Sequence, residues 1–150
     1  MDAGVEQFLE RHHAAAMATL RPDGTPHVVR VGVGLVDGRL WSSGTQNRVR
    51  TGHLRRDPRS TLFVFDPYDS SNAWNWLGLE TTVTILEGSA APEANLRLFR
   101  VMQGQPATTP RTEKIGWAGQ ERTTEDFLRM MEEEQRLIYE FTVTRHYGMF

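Results

Sequence analysis

At 150 residues, with 39% hydrophobic residues, no cysteine and a formal net charge of -2, the chain reads as one globular domain, residues 1–150, able to bury a sizeable core. That composition excludes disulfides, thiolate nucleophiles and cysteine-based metal sites, and the near-neutral balance argues against a general nucleic-acid binder. No run reaches the ~20 apolar residues of a membrane span, and residues 1–11 are too acidic and polar for a signal peptide, so a cytoplasmic protein is expected.

Residues 5–12 form a candidate short helix with Phe8 and Leu9 inward, followed by a strand over 14–20. Arg21-Pro-Asp-Gly24 is a turn, with proline pre-setting φ and glycine free to take φ > 0. Residues 25–36 alternate, with Val29, Val31, Val33 and Leu35 on one face, the period of a half-buried strand. Asp37-Gly38 is a strong hairpin signal, and 39–43 is the return strand. A helix running to Pro58 comes next, then a strand over 60–65 bounded by Asp66-Pro67 and a long strand over 74–87. Residues 92–103 and 124–134 read as amphipathic helices. Between them, 104–122 is irregular and of the length that often forms a lid or binding loop, with Trp117 between Gly116 and Gly119 as a candidate aromatic flap. A last strand over 136–148 sets Leu137, Tyr139, Phe141 and Val143 on one face. Six strands in antiparallel hairpin order, with helices inserted late, predict a mainly β (α+β) fold: a small barrel with flanking helices.

The most informative segment is 42–59, where Arg48, Arg50, Arg55, Arg56 and Arg59 follow a small polar loop that ends a strand. A helix opening from such a loop presents free N–H groups and a positive dipole end to an anion. Arginine adds planar donors matched to phosphate oxygens. Arg48 and Arg50, two residues apart, share no helix face, so they meet one phosphate only if the helix barely begins there. Neither a Gly-x-Gly-x-x-Gly helix start nor a Walker-type loop is present. Arg55, seven residues after Arg48, lies on the same face, suited either to an acidic tail or to plain surface contacts. His53 reads as a solvated helix residue, adjacent His12 and His13 splay apart as a poor metal pair, and His146 has no obvious partner. Trp74 and Trp76, at i and i+2, suit packing as well as ring stacking. Of the 17 basic residues Lys114 is the only lysine, which fits a GC-rich bacterial genome and weakens the case for reading every arginine as a ligand.

The order strand, Pro-Asp-Gly turn, strand, Asp-Gly hairpin, Ser-x(4)-Arg-x-Arg and Leu-Arg-Arg-Asp-Pro-Arg resembles the pyridoxamine 5′-phosphate oxidase-like split β-barrel family. More narrowly it is similar to the actinobacterial branch that uses the deazaflavin coenzyme F420. The resemblance implies a six-stranded antiparallel split β-barrel with flanking helices. It also implies a phosphate held by the Ser43 hydroxyl, the N–H groups of Gln46, Asn47 and Val49, and the charges of Arg48 and Arg50, the last commonly lysine in the family. His27, Val28 and Val29 would then run beneath the ring system, and Trp74 and Trp76 resemble an aromatic pair near the deazaflavin in relatives that are homodimers with sites built from both chains. The implied activity is hydride transfer from reduced F420 to a small organic acceptor, with no protein nucleophile and no assignable catalytic side chain. Arg55 and Arg56 beyond the phosphate favour F420, whose oligoglutamate chain extends further. FMN with oxidase or flavin-reductase activity, and a binding protein without turnover, are the alternatives. A haem-degrading relative is weakened by the lack of a persuasive axial histidine.

Overall fold

Alternation at period two places Val29, Val31, Val33 and Leu35 on one face, and in the computed structural model, which describes residues 1–66, 68 and 73–150, all four join or pack against one apolar core. The elements are α1 (Ala3–Arg11), β1 (Ala14–Leu20), β2 (Pro26–Gly32), β3 (Gly34–Val36), β4 (Arg39–Thr45), α2 (Val49–Arg56) and β5 (Arg59–Phe65). They continue as β6 (Trp76–Leu86), α3 (Ala91–Met102), β7 (Ile115–Trp117), β8 (Gln120–Arg122), α4 (Thr124–Glu133) and β9 (Arg136–Met149). One antiparallel sheet runs β2-β1-β5-β6-β9-β4-β3, and β7 and β8 form a separate hairpin. The result is the expected α+β half-barrel with four flanking helices.

The main sheet has seven strands rather than six, because the predicted 25–36 strand breaks at Val33. Up to Gly32 the chain pairs with β1, and from Gly34 it pairs with β4. The break is fixed on both sides: Val33 N–H donates to the His13 carbonyl at 2.8 Å, and Ser42 Oγ donates to the Gly32 carbonyl at 2.6 Å. The corner is close to α3: a Cβ on Gly32 would stand 2.8 Å from Met102 Sδ, so the Met102 side chain would have to move. The corner brings β4 against the end of β2 and curls the sheet around its core. The hairpin at Asp37-Gly38 forms as expected, both residues at positive φ (52° and 75°).

Two helices contribute to the interior of the curl. On α1, Val5, Phe8 and Leu9 are buried in the main core, and Asp2 caps the helix by accepting from the N–H groups of Gly4 and Val5. From α2, Leu54 joins the same core. His53 is not the solvated residue expected: it is buried, its Nδ1 is 2.9 Å from Thr19 Oγ1 on β1, and its ring stands edge-on to His27 of β2 at 5.2 Å. Helices α3 and α4 pack outside the curl, on a cluster around Leu98 and Ile138 and another around Phe127, Ile115 and Met131.

The irregular stretch 104–122 is pinned rather than lid-like. Arg100 of α3 is 1% exposed and donates to Gln105 Oε1, the carbonyls of Glu113 and Lys114, and Thr124 Oγ1, at 2.6–3.1 Å. Trp117 is no flap: it stacks edge-on with Phe99 (4.9 Å) and Phe127 (5.7 Å), and the Arg136 guanidinium lies over its ring at 5.0 Å. The predicted strand at 74–87 starts two residues late, leaving Trp74 in a turn and 86% exposed. Pro67, invoked as a strand boundary, lies outside the described residues.

Two stability measurements follow from these buried groups. Arg100→Met keeps the apolar stem but strips two carbonyls of a charged donor, and should lower the unfolding free energy by about 3 kcal/mol in urea titrations. Amide exchange in 104–122 should accelerate with it; unchanged exchange there would show that other contacts hold the segment. Burial, helped by the His27, Arg56 and Arg21 charges, holds the His53 imidazole below its ordinary value of 6.5. Above that pH both states are neutral and the group contributes no pH dependence. As pH falls through about 6.5 the unfolded chain takes the proton first, so stability declines until the lowered folded value is passed. The urea midpoint should therefore drop on acidification through this window, and His53→Gln should remove that component; an unaltered profile in the variant would contradict the assignment.

Candidate functional site

The site begins where β4 ends. Thr45 is buried and its carbonyl accepts from Thr51 Oγ1 at 2.7 Å, which folds the chain back so that α2 starts immediately after the loop 46–48. Beneath that fold, Tyr139 of β9 is fully buried with its hydroxyl 2.5 Å from Thr51 Oγ1. Its ring fills the space a side chain at position 44 would need, which explains the glycine there. The loop is thus seated on a rigid tyrosine rather than on solvent.

Arg48 is the N-cap residue, in extended geometry (φ -69°, ψ 142°), and its side chain makes no capping bond. The first-turn N–H groups of Val49 and Arg50 therefore point outward with no helical acceptor. As expected from their spacing, Arg48 contributes from the loop and Arg50 from the first turn. The α2 start carries no acidic residue, and the exposed Val49 (64%) contributes no packing there. Arg48 and Arg50 are near enough for their charges to repel beside the free N–H groups of the helix start.

Arg50 is the unusual member. Its guanidinium lies over the Tyr139 ring at 5.6 Å and its Nη2 donates to the Ser43 carbonyl at 3.5 Å, while its Nε is buried and meets no acceptor. Burial chiefly, with Arg48 and Arg136 adding like charge against a partial offset from Tyr139, holds its pKa below the usual arginine range. An anion in this spot would relieve both the orphaned donor and the repulsion. The residues therefore fit a phosphate group.

Sequence reasoning missed three contributors. Arg136 reaches the cluster because β9 pairs with β4, setting it opposite Thr45. Asn95 of α3, fully buried, accepts from Ser43 Oγ at 2.5 Å and donates to the Ala91 carbonyl, so the Ser43 hydroxyl already has a protein partner. Glu87 accepts from both Arg55 (3.0 Å) and Gln46 (3.2 Å), and Arg55 also donates to Gln46 Oε1 at 2.7 Å. Arg56 bonds the Leu20 carbonyl. Most of these contacts join residues far apart in the chain, and no local pattern marks them. Asn47 accepts from Thr45 Oγ1 at 2.8 Å, shaping the loop from inside.

The remaining predicted residues are divided between two places. His27 is carried to α2 by its contact with His53, and its Nδ1 is buried without a partner. Val28 faces outward and is 59% exposed, and Val29 faces the core. Trp76 packs against Phe63 (5.4 Å) and Tyr147 (6.1 Å) on the outer sheet face. It pairs with Met149, at the opposite end of β9 from Arg136. At about 3.3 Å per residue those strand ends are far apart, so one chain does not bring Trp76 to the arginine loop, nor does it bring Trp74, which lies two residues before β6.

The fold recurs in solved proteins of low identity. Rv2991, a conserved hypothetical protein from Mycobacterium tuberculosis, superposes with a TM-score of 0.71 at 22% identity, over 99% of this chain and 84% of that one. An F420 reductase superposes at 0.65 and 23% identity, covering 98% of each chain. HutZ, a heme storage protein from Vibrio cholerae, reaches 0.65 at 10% identity over 99% and 94%. The sequence pattern of the pyridoxamine 5′-phosphate oxidase family matches residues 1–145. Split-barrel topology, the arginine loop at the start of α2 and this match over nearly the whole length together show that the chain belongs to the pyridoxamine 5′-phosphate oxidase family.

Proposed function

We propose that this protein is an oxidoreductase that holds the deazaflavin F420 by its phosphate at residues 46–50 and directs a hydride from the reduced cofactor to a small organic acceptor. The observation that carries this is the buried Arg50 Nε with no acceptor, beside Arg48, at a helix start with unmet N–H groups. When bound, the reduced deazaflavin supplies the hydride, so the chain needs no nucleophile. Arg48, Arg50 and the N–H groups of Gln46, Asn47 and Val49 bind and orient the phosphate, while Ser43, fixed by Asn95, shapes its edge. His27, Val28 and Val29 present the strand that the ring lies along. An F420 reductase shares the fold, and Arg136, held by Glu134 and lying over Trp117, adds positive charge near Arg50 without being open to a further anionic chain.

The working unit is a homodimer. Phe63, Tyr147, Met149 and Phe150 are each 40% exposed or more on or beside the Trp76 face, an unusual display of large apolar groups for a lone chain. Since one chain keeps Trp74 and Trp76 away from its own arginine loop, a second copy is the source of aromatic contacts to the ring. Among the described residues no helix is long and apolar enough to cross a membrane, in keeping with a cytoplasmic enzyme.

FMN, with oxidase or flavin-reductase activity, is the second reading, and one observation favours it: Arg55 is already paired with Glu87 and Gln46 rather than open to an acidic tail.

Titration of the cofactor-free protein with F420 and, separately, FMN, followed by tryptophan quenching, distinguishes these. F420 should bind tighter, Arg50→Ala should weaken it by about 10- to 100-fold, in line with one or two charge-assisted bonds, and the loaded protein should sediment as a dimer. Tighter FMN binding would transfer the protein to the flavin branch, and no binding of either would overturn the cofactor assignment.

A further inference from the structure

A cavity of about 810 Å3 opens on the sheet away from the arginine loop, between the end of α1, the start of β1, β2 and the end of β5. Its body is apolar: Ala16, Val28, Phe65 and Met102 line it. Two guanidiniums, Arg11 and Arg30, stand on the same lining, and neither has an ion pair or donates a side-chain hydrogen bond to another described residue. Most other arginines of this chain are engaged: Arg55 with Glu87, Arg59 with Asp57, Arg97 with Asp37, Arg111 with Glu93, Arg129 with Asp126 and Arg136 with Glu134. One carboxylate, the part-exposed Asp66, shares the lining. His13 Nδ1 bonds the Val33 carbonyl at 3.0 Å, and Asp66 lies 3.9 Å from His12 Nδ1 while its Oδ1 accepts from the Tyr68 N–H. Arg11 and Arg30 thus stand without a partner among the described residues, two cations against the single Asp66 carboxylate, at the edge of an apolar pocket of ligand size.

We infer that this cavity binds a small apolar carboxylic acid, its body against Val28, Ala16 and Phe65 and its carboxylate between Arg11 and Arg30. Planar guanidinium forks match a carboxylate. A phosphate dianion suits the place less well, because α1 presents its carbonyl end here, and that end repels negative charge more strongly as the charge grows. Val28 and Val29 line the cavity and belong to the strand proposed to carry the cofactor ring. Resting on that proposed function, the occupant is the acceptor, and the substrate class is a small apolar acid.

Isothermal titration of the full-length protein with 2-naphthoate and with its neutral isostere 2-naphthamide, with and without F420, tests this. Naphthoate should bind at least about tenfold more tightly than naphthamide, the loss expected when one charged hydrogen-bond partner is removed. Arg30→Gln and Arg11→Gln should each cut naphthoate affinity by about the same factor, leave naphthamide unchanged, and leave F420 affinity within about twofold. Equal affinity for the two probes, naphthoate binding insensitive to both substitutions, or no binding of either would overturn the site. Naphthoate binding as described in a protein that fails to bind F420 would uphold the acid site and reject the cofactor on which its role as acceptor site rests.

Discussion

An arginine Nε–H buried without an acceptor is costly, and an anion at the start of α2 would offset the cost that Arg50 carries. Everything near it works to hold the position. Tyr139 stands under the loop, Gly44 leaves room for its ring, and Thr51 ties its hydroxyl to both Tyr139 and the Thr45 carbonyl. β9 must pair with β4 for Tyr139 to be there at all, and that same register delivers Arg136. A helix of only eight residues, with no acid in its first turn and little apolar surface beyond Leu54, is kept in place by this buttress and by His53 on Thr19. The fold thereby holds a small set of donors in place, and an anion of the kind we propose would need little reorganisation to meet them.

The split of the barrel explains why the aromatic residues and the arginine loop are separate. A strand of 14 residues, β9, touches β4 at one end and the start of β6 at the other. The end that carries the arginine loop is polar, while the other end displays large apolar groups. In the dimer we propose, a second copy would cover the exposed aromatic surface and bring it to the arginine loop that one chain keeps apart from it.

Much of this was legible in the sequence, for local reasons. The Asp37-Gly38 turn, the inward Phe8 and Leu9, and the placing of Arg48 and Arg50 on either side of a helix start all depend on neighbours within a few residues. What escaped depends on pairing across the chain. Val33 interrupts a strand because its bond to His13 fixes a corner there, and the alternation of valines runs straight through it. His53 looks solvated until Thr19 is set opposite. Arg100 is one basic residue among many until the 104–122 segment is wrapped around it. Arg136 and Asn95 enter the site through strand register and helix docking. Trp74 and Trp76 read as one side of a strand, yet the strand starts at Trp76.

The most direct measurement is of the Arg50 Nε–H resonance and the backbone amides of residues 46–50 in nitrogen-15-labelled protein as F420 is added. A phosphate seated in the loop should shift and sharpen the Arg50 Nε–H signal and move the Gln46, Asn47 and Val49 amides together at one affinity. Binding that leaves those signals in place and moves others would show that the cofactor phosphate sits elsewhere and that the arginine loop serves only the fold.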